Sequence, residues 1–450
     1  MPDFRVAPFF ALPLAALLAG CSLGSVIDST LGFGGNSGAA SSQSSGLAVG
    51  DEPFAVKTGT AILAQGGSAA DAVTAMFFAM SATYPVAVGL GGGGICLISD
   101  PAKGVREFDF LPRAAKSGGA YAVPGAVRGF YDLQSAFGTL PWQRAVSGGE
   151  AYAATGFPIS HALWTRLGNA QNSVRLDASL AAEFMNENGT PRPEGAVAIN
   201  LALSQTLAAV RLSGADGFYK GAVADELMRY SASQGGAISA ADLADYRTTI
   251  TAPHLMNQGG YSVALPNAAT GAGQFAQSLF TNAARSADTE ASVVLAVRQS
   301  LASFGVSTLP SDLGGTGFAA VDRNGQVATC AMTLNGAFGA GHTGGSTGVL
   351  LANSPSTPGG IAGAFLTPLI ARDGSGRAAL TGVGAGGPNG TAAIAYAFLK
   401  LAGGQQIGRP ADMRSTGAAP MVTVNVISCQ TVCVALPDPG GHGLGAATSE

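Results

Sequence analysis

The chain has 450 residues, of which 66 are glycine, 47% are hydrophobic and only 11% are charged. This composition supports a large buried core built from small side chains and close backbone contacts. The formal net charge is −4, and no stretch is rich in lysine or arginine. These features exclude nucleic-acid binding, which needs clustered basic residues to displace counterions.

The first 21 residues have the pattern of a lipoprotein export signal. An early arginine precedes an apolar run from Val6 to Leu18, which is too short to span a bilayer but typical of a signal peptide. The ending Leu-Ala-Gly-Cys resembles the lipobox of bacterial lipoproteins, in which the cysteine, here Cys21, is lipidated. An ordinary signal peptide with an incidental cysteine is the alternative. We therefore predict a signal peptide over residues 1–20, and Ser22 favours an outer-membrane anchor facing the periplasm.

Residues 21–46 are rich in glycine and serine, which predicts a flexible tether. No later stretch is apolar enough to cross a membrane, so the lipid is the only membrane contact expected.

The remaining cysteines fall into two pairs. Cys96 and Cys330 lie in apolar strands and are predicted to be unreactive core thiols, whereas Cys429 and Cys433 could form a local disulfide in an oxidising compartment. The four histidines lack zinc-ligand spacing, and we predict neither a metal nor a cofactor.

The first half of the folded region begins with helices. Residues 52–85 predict two helices broken by two glycines, and Ser68 and Asp71 form a capping-box pattern at the start of the second. A glycine loop then leads into two strands, and helical periodicity dominates from about 125 to 245, where Ser239 and Asp242 open a further helix.

Strands return in the second half, at FAAVD, QVATCAMTL, GVLLAN and RAALTGVG. A last helix, GTAAIAYAFLKLAG, precedes the strands MVTVNVI and CVALPDP. Strands at both ends with helices between them predict layers of helix and sheet whose sheets draw on both ends of the chain. A Gly-x-Ser-x-Gly match around Ser346 leads into GVLLAN rather than a helix, which disfavours a serine-hydrolase elbow.

Ten segments in order resemble the γ-glutamyltranspeptidases, from about residue 47 to the C-terminus. They are QGGSAADAV, GLGGGGICLISD, AVPGAVRGFYDL, FGTLPW, TGFPIS, GFYKGAVADEL, GGAISAADLADY, AAVDRNGQVATCAMTLNGAFG, GGSTGVLLAN and DPGGHGLGAA. The resemblance implies an N-terminal-nucleophile hydrolase fold: a single large α+β domain, residues 47–450, built as a four-layer αββα sandwich. Residues 47–314 would correspond to the family's large subunit and 315–450 to its small subunit.

The same resemblance implies a chemistry. Precursors in this family cut themselves before a threonine, whose hydroxyl, activated by the new amine, attacks the γ-glutamyl bond of glutathione. The acyl group then passes to water or an amino acid, and an oxyanion hole stabilises the tetrahedral intermediate.

The nucleophile position is occupied by glycine. The family motif is Thr-Thr-His-(Phe/Tyr), followed by three small or β-branched residues and then Asp. When its aromatic residue is placed at Phe318 and its Asp at Asp322, the nucleophile falls at Gly315 and the second threonine at Thr316. To bring Thr316 to the nucleophile position, the strand would have to slip by one residue, and such a slip turns every side chain to the other face of the sheet. We therefore predict that Thr316 is the neighbour of a lost nucleophile and faces the wrong way.

The positions that would bind substrate are also altered. The arginine that clamps the glutamyl carboxylate falls at Leu111, and Arg113 follows two positions later. Other family positions carry short or apolar residues here, namely Ser354, Thr357, Ala364 and Phe365. The resemblance retains Thr333, Asn335 and the oxyanion glycines Gly386 and Gly387. The chain is also shorter than the family pattern between about 268 and 312.

Two interpretations follow. In the first, the chain is a γ-glutamyltranspeptidase-like lipoprotein that no longer cuts itself, a pseudoenzyme serving the envelope as a binding or structural component; its expected ligand class is a small γ-glutamyl or amino-acid-like molecule. In the second, it is an active γ-glutamyl hydrolase or transferase with a rearranged site built on Thr316, Thr333, Asn335 and Arg113. The sequence does not predict the oligomeric state.

Overall fold

Two antiparallel sheets form the centre of the molecule in a computed structural model, which describes residues 40–42, 46–270, 272–284, 289–306, 308–413 and 421–448. The first sheet has the strand order β18 (Leu444–Ala447), β2 (Leu47–Gly50), β12 (Gly315–Val321), β13 (Val327–Thr333), β3 (Gly93–Asp100), β4 (Gly104–Asp109) and β9 (Thr249–Thr251). The second has the order β1 (Ala40–Ser42), β17 (Cys433–Leu436), β16 (Thr423–Cys429), β15 (Ala378–Ala385), β14 (Thr367–Arg372), β11 (Tyr261–Leu265) and β10 (His254–Gln258).

Helices cover the outer face of each sheet. Those on the side of the first sheet are α1 (Pro53–Ala64), α2 (Ala69–Thr83), α3 (Ala126–Phe137), α4 (Trp142–Thr155), α5 (His161–Val174), α6 (Ala178–Phe184), α7 (Leu201–Ser213), α8 (Asp216–Tyr219), α9 (Gly221–Ser233) and α10 (Ala240–Asp245). Those on the side of the second are α11 (Ala272–Ala283), α12 (Thr289–Ser303) and α13 (Pro388–Ala402). Two short pairs, β5 (Arg113–Ala114) with β6 (Ala122–Val123) and β7 (Phe157–Pro158) with β8 (Val197–Ala198), lie outside the main sheets. The predicted αββα arrangement is confirmed.

Strand β12 shows how alternation builds these layers. Phe318 stacks on Phe130 of α3, with ring centroids 6.4 Å apart, and so belongs to the helix-side core. Ala319 instead packs between the sheets with Ile370 and Ile427. A β-carbon at Gly317 would lie 2.4 Å from the side chain of Val383, so glycine allows the two sheets to approach closely at this point. Odd-numbered residues of β12 therefore face the second sheet.

Several local predictions are confirmed. Ser68 and Asp71 form a capping box at the start of α2, and Ser239 and Asp242 form another at the start of α10. Cys429 and Cys433, whose bonding the sequence left open, form a disulfide across the β16–β17 hairpin.

The prediction that Cys96 and Cys330 are free core thiols is wrong. They form a disulfide, because the antiparallel register of β3 and β13 places them directly opposite each other, with Cα atoms 4.1 Å apart. This bond joins residues 234 positions apart and links the two parts of the chain on either side of Gly315.

Two other predictions need correction. Gly348–Asn353, predicted as a strand, forms only isolated bridges, such as Gly91 with Leu351 and Tyr121 with Asn353. Within the predicted tether, Ala40–Ser42 form an edge strand paired with residues 433–435. The signal peptide and Cys21 lie outside the described residues. No helix in the described part of the chain is long and apolar enough to cross a membrane.

Candidate active site

The predicted nucleophile position and the predicted oxyanion glycines come together at one end of the two sheets. Gly315 begins β12 and pairs directly with Thr333 of β13. Gly386 and Gly387 follow β15 and precede α13, with φ angles of +83° and +117° that favour glycine. A β-carbon at Gly315 would lie 2.9 Å from the Gly386 nitrogen. A side chain at position 315 would thus point at the backbone where α13 begins.

The backbone at this end of β15 retains features suited to stabilising an oxyanion. Amide groups at a helix N-terminus carry partial positive charge, and such donors stabilise the negative oxygen of a tetrahedral intermediate. Gly315, however, supplies no hydroxyl to attack a carbonyl carbon. A threonine there would also bring its β-carbon too close to Gly386 unless the backbone shifted.

Thr316 makes a different contact. It is fully buried, and its hydroxyl donates a hydrogen bond to Oδ2 of Asp51 at 2.6 Å. The same carboxylate accepts hydrogen bonds from the Thr423 hydroxyl and, at 2.8 Å, from the Asn425 amide, both on β16. Asn425 also donates to the Gly317 carbonyl at 2.8 Å. The Thr316 hydroxyl is therefore one member of a buried network that joins β2, β12 and β16.

The segment leading into β12 is held by Arg166 of α5. Its guanidinium forms a nearly buried ion pair with Asp312 at 2.5 Å and donates to the Gly315 carbonyl at 3.2 Å. Asp312 also accepts from the Gly314 amide at 2.8 Å, and Gly314 has a φ of +60°. Arg166 lies beside Tyr84 as well, whose pKa is raised above its usual range by burial. The bond between residues 314 and 315, where the family's precursors are cut, thus lies in a fixed segment.

Glu52, next to Asp51, is fully buried. It accepts a hydrogen bond from the Ser160 hydroxyl at 2.7 Å and one from the Phe54 amide at 3.2 Å. Burial raises its pKa from 4.5 to about 8, and the neighbouring Asp51 charge adds to the effect. The carboxyl group therefore holds a proton at neutral pH.

Thr333 and Asn335 form a turn at the end of β13. The Thr333 hydroxyl accepts from the Asn335 amide at 2.8 Å and donates to the Leu313 carbonyl at 3.3 Å. The Asn335 side-chain nitrogen donates to the Asn353 carbonyl at 2.8 Å, and its φ is +56°. Its side-chain oxygen is buried and has no partner among the described residues. Asn335 therefore retains one acceptor that a bound amino group could use.

Arg113 and Leu111 have separate environments. Arg113 is exposed, donates to the Thr249 hydroxyl at 3.1 Å and lies 4.7 Å over the Tyr246 ring. Leu111, at the family's arginine position, packs against the inter-sheet cluster that includes Leu366 and Ala385. Of the other altered positions, Phe365 is fully buried against Phe275, and the Ser354 and Thr357 side chains bond within their own turn.

Sequence reasoning missed the buried polar groups around β12, namely Asp51, Glu52, Tyr84, Arg166, Asp312, Thr423 and Asn425. The adjacent acids after β2 gave a local signal, because two carboxylates directly after an apolar strand are seldom both buried without partners. Their partners come from distant elements and could not be identified from spacing. In the part of the chain that the structure describes, no group of three or more His, Cys, Asp or Glu side chains is arranged to hold a metal ion.

Comparison with known proteins gives a family for this chain. The model of the gamma-glutamyltranspeptidase family matches residues 55–286, just over half of the chain. A glutathione hydrolase proenzyme of Pseudomonas sp. (strain A14) is 33% identical over 243 residues, which cover 48% of this chain and 42% of that protein. The glutathione hydrolase proenzyme of Bacillus subtilis (strain 168) is 29% identical, covering 49% and 41%. The matched region thus spans less than half of these curated relatives.

Solved structures extend the similarity of fold over nearly the whole chain. A cephalosporin acylase from Bacillus halodurans superposes with a TM-score of 0.75 at 17% identity, covering 94% of this chain and 99% of that one. The γ-glutamyltranspeptidase of Helicobacter pylori gives a TM-score of 0.51 at 24% identity, covering 56% and 81%. At these identities the comparison concerns the fold alone. The family match over residues 55–286 supports one conclusion: this chain belongs to the γ-glutamyltranspeptidase family.

Proposed function

We propose that this chain is an exported, lipid-anchored member of the family that neither cuts itself nor catalyses γ-glutamyl transfer, and that it serves the envelope as a binding or structural component. The observation that carries the proposal is the glycine at position 315, where a β-carbon would lie 2.9 Å from the Gly386 nitrogen. A side chain at this position would point at an oxyanion-type amide, and Gly315 has none.

Thr316 is poorly suited to replace the lost nucleophile. Its hydroxyl is fully buried and already donates to Asp51. To attack a carbonyl carbon it would have to give up its hydrogen bond to this carboxylate. Rearrangement would also leave Asp51 buried with one hydrogen bond fewer, which costs free energy.

The residues around this site favour a ligand that has no carboxylate to be bound at position 111. Leu111 offers only apolar contact at the family's arginine position, so the charge-assisted hydrogen bonds that hold a glutamyl carboxylate are absent there. Asn335 still presents a buried, unpaired side-chain oxygen. A small molecule with an amino group is therefore the ligand class that we propose for this end of the sheets.

Membrane anchoring rests on Cys21 and the apolar run before it. Expression of the full chain in a bacterium fed a labelled fatty acid should give a labelled protein in the outer-membrane fraction. Cys21→Ala should lose the label and move to the soluble periplasmic fraction. Equal label in both variants would contradict lipidation at this cysteine.

The absence of catalysis can be tested with γ-glutamyl-p-nitroanilide, using the Bacillus subtilis glutathione hydrolase as the positive control. We expect no release of p-nitroaniline above background by this protein, with or without an acceptor amino acid. Release that is abolished by Thr316→Ala but not by Thr333→Ser would contradict the proposal and support the active interpretation built on Thr316.

A further inference from the structure

A cavity lies at the end of the sheets opposite Gly315. Its volume is about 910 Å³, and it is lined by the hairpin turns that join β3 to β4, β12 to β13, β14 to β15 and β16 to β17. Val321 and Ala378, which line it, stand at the other ends of β12 and β15 from Gly315 and Ala385. Val321 is six residue steps along the strand from Gly315, or about 20 Å. The cavity is therefore distinct from the candidate active site.

Three arginines line this cavity: Arg323, Arg372 and Arg377. The Nε atom of Arg372 is buried and has no hydrogen-bond partner among the described residues. Arg323 forms no side-chain hydrogen bond or ion pair with the rest of the described chain. Of the three, Arg377 alone has side-chain partners within the described chain, Asp373 at 3.3 Å and the Ser375 hydroxyl at 3.1 Å. Two guanidinium groups are thus available to a ligand.

The carboxylates of the cavity wall are already used. Asp100 accepts from the amides of Ala102 and Lys103 and from the Gln326 side chain. Asp322 accepts from the amides of Asn324, Gln326 and Ala69. These bonds engage both carboxylates within and beside their own turns, and neither forms an ion pair with an arginine of the described chain. Within the described residues, the positive charge of Arg323 and Arg372 is therefore not offset by an ion pair.

We propose that this cavity binds a small multivalent oxyanion, whether a phosphate or a di- or tricarboxylate. A buried N–H without an acceptor costs free energy, and a ligand oxygen at Arg372 would remove that cost. The planar guanidinium donates two parallel hydrogen bonds to carboxylate or phosphate oxygens, which gives this ligand class its specificity. The cavity size lies within the range of small-molecule sites, which is about 300–1,000 Å³.

The test uses the purified full chain at low ionic strength, where screening is weak. Titration calorimetry with inorganic phosphate and, separately, with citrate distinguishes the two sources of oxyanion. We expect saturable binding of at least one of them. Arg372→Gln should weaken that binding at least tenfold, and Arg323→Gln should weaken it measurably. The control Arg298→Gln, which removes an exposed charge on α12 away from the cavity, should leave the affinity unchanged.

Site specificity has its own readout, because the Cys429–Cys433 disulfide forms part of the cavity wall. The bound anion should slow reduction of this disulfide by dithiothreitol in the wild type but not in Arg323→Gln. This variant is chosen because the Arg323 side chain is exposed, so that replacing it should leave the fold intact. The proposal is overturned if neither probe saturates. It is equally overturned if Arg298→Gln weakens binding as much as Arg372→Gln, which would indicate general charge attraction.

Discussion

The Thr316 hydroxyl donates to Asp51 at 2.6 Å, while its neighbour Gly315 faces the Gly386 backbone with no side chain. The two neighbouring positions therefore have different contacts. Thr316 is therefore bound within the protein's own buried network, and the predicted nucleophile position, Gly315, has no side chain. The predictions below follow from this arrangement and from the buried groups that surround it.

Thr316→Val should destabilise the protein without affecting any γ-glutamyl chemistry. Valine has a similar shape but cannot donate to Asp51, and a hydrogen bond to a charged group is worth about 1.5–3 kcal/mol. We expect the free energy of unfolding, measured by urea denaturation, to fall by about 2 kcal/mol. Thr316→Ser keeps the hydroxyl, and its free energy of unfolding should fall by less. Equal stability of all three proteins would contradict a structural role for this hydroxyl.

Arg166→Gln should loosen the segment that leads into β12. Removing one partner of a buried ion pair leaves Asp312 uncompensated, which typically costs about 3–5 kcal/mol. The Gly315 carbonyl also loses a donor. We expect limited proteolysis to cut the variant within residues 308–316 faster than the wild type. The matched control is Arg175→Gln, which changes an exposed arginine just after α5. If this variant is also cut faster within residues 308–316, the effect of Arg166→Gln is not local.

The two disulfides should differ in their contribution to stability. In the chain-entropy model, a bond that closes a loop of 234 residues contributes roughly 5 kcal/mol, and one that closes a loop of 4 contributes roughly 2 kcal/mol. We therefore expect Cys96→Ala with Cys330→Ala to lower the melting temperature more than Cys429→Ala with Cys433→Ala. The reverse order, measured by calorimetry, would show that the long-range bond is not formed in the folded protein.

Glu52→Gln should make stability less dependent on pH. The folded-state pKa of Glu52 is about 8, and its ordinary value is 4.5. At a pH between these two values, Glu52 therefore carries a proton in the folded state but has lost it in the unfolded state. The stabilisation is fully present below pH 4.5 and disappears as pH rises toward 8, by ~1.4 kcal/mol per pH unit at most.

Burial also raises the pKa of Glu183 to about 8, so the wild type carries two such contributions. Chemical denaturation at several pH values should show a shallower decline for Glu52→Gln and for Glu183→Gln than for the wild type. The exposed Glu187→Gln should behave as the wild type does. A wild-type stability that rises from pH 5 to pH 8 would contradict both assignments.

The fold was largely predictable from the sequence because its signals are local or family-wide. The capping boxes at Ser68 and Ser239 and the apolar strands need only neighbouring residues to be recognised. Gly348–Asn353 was misassigned because its apolar residues are buried in a loop that forms only isolated bridges, and an apolar run alone does not distinguish the two.

The environment of the site was less predictable, because it depends on contacts between distant elements. Asp51 and Thr316 are 265 positions apart, and Arg166 and Asp312 are 146 apart. Likewise, Cys96 and Cys330 could be paired only once β3 and β13 were known to be neighbours. The sequence predicted which positions differ from the family motif, and the structure was needed to identify what the side chains at and around them contact.

The mass of the purified, fully reduced chain tests the central claim most directly. Reduction is essential, because the Cys96–Cys330 disulfide would hold two fragments together after a cut between them. We predict a single species in which Gly314 and Gly315 remain joined, unchanged after prolonged incubation. Two fragments, one beginning at Gly315 or Thr316, would contradict the account.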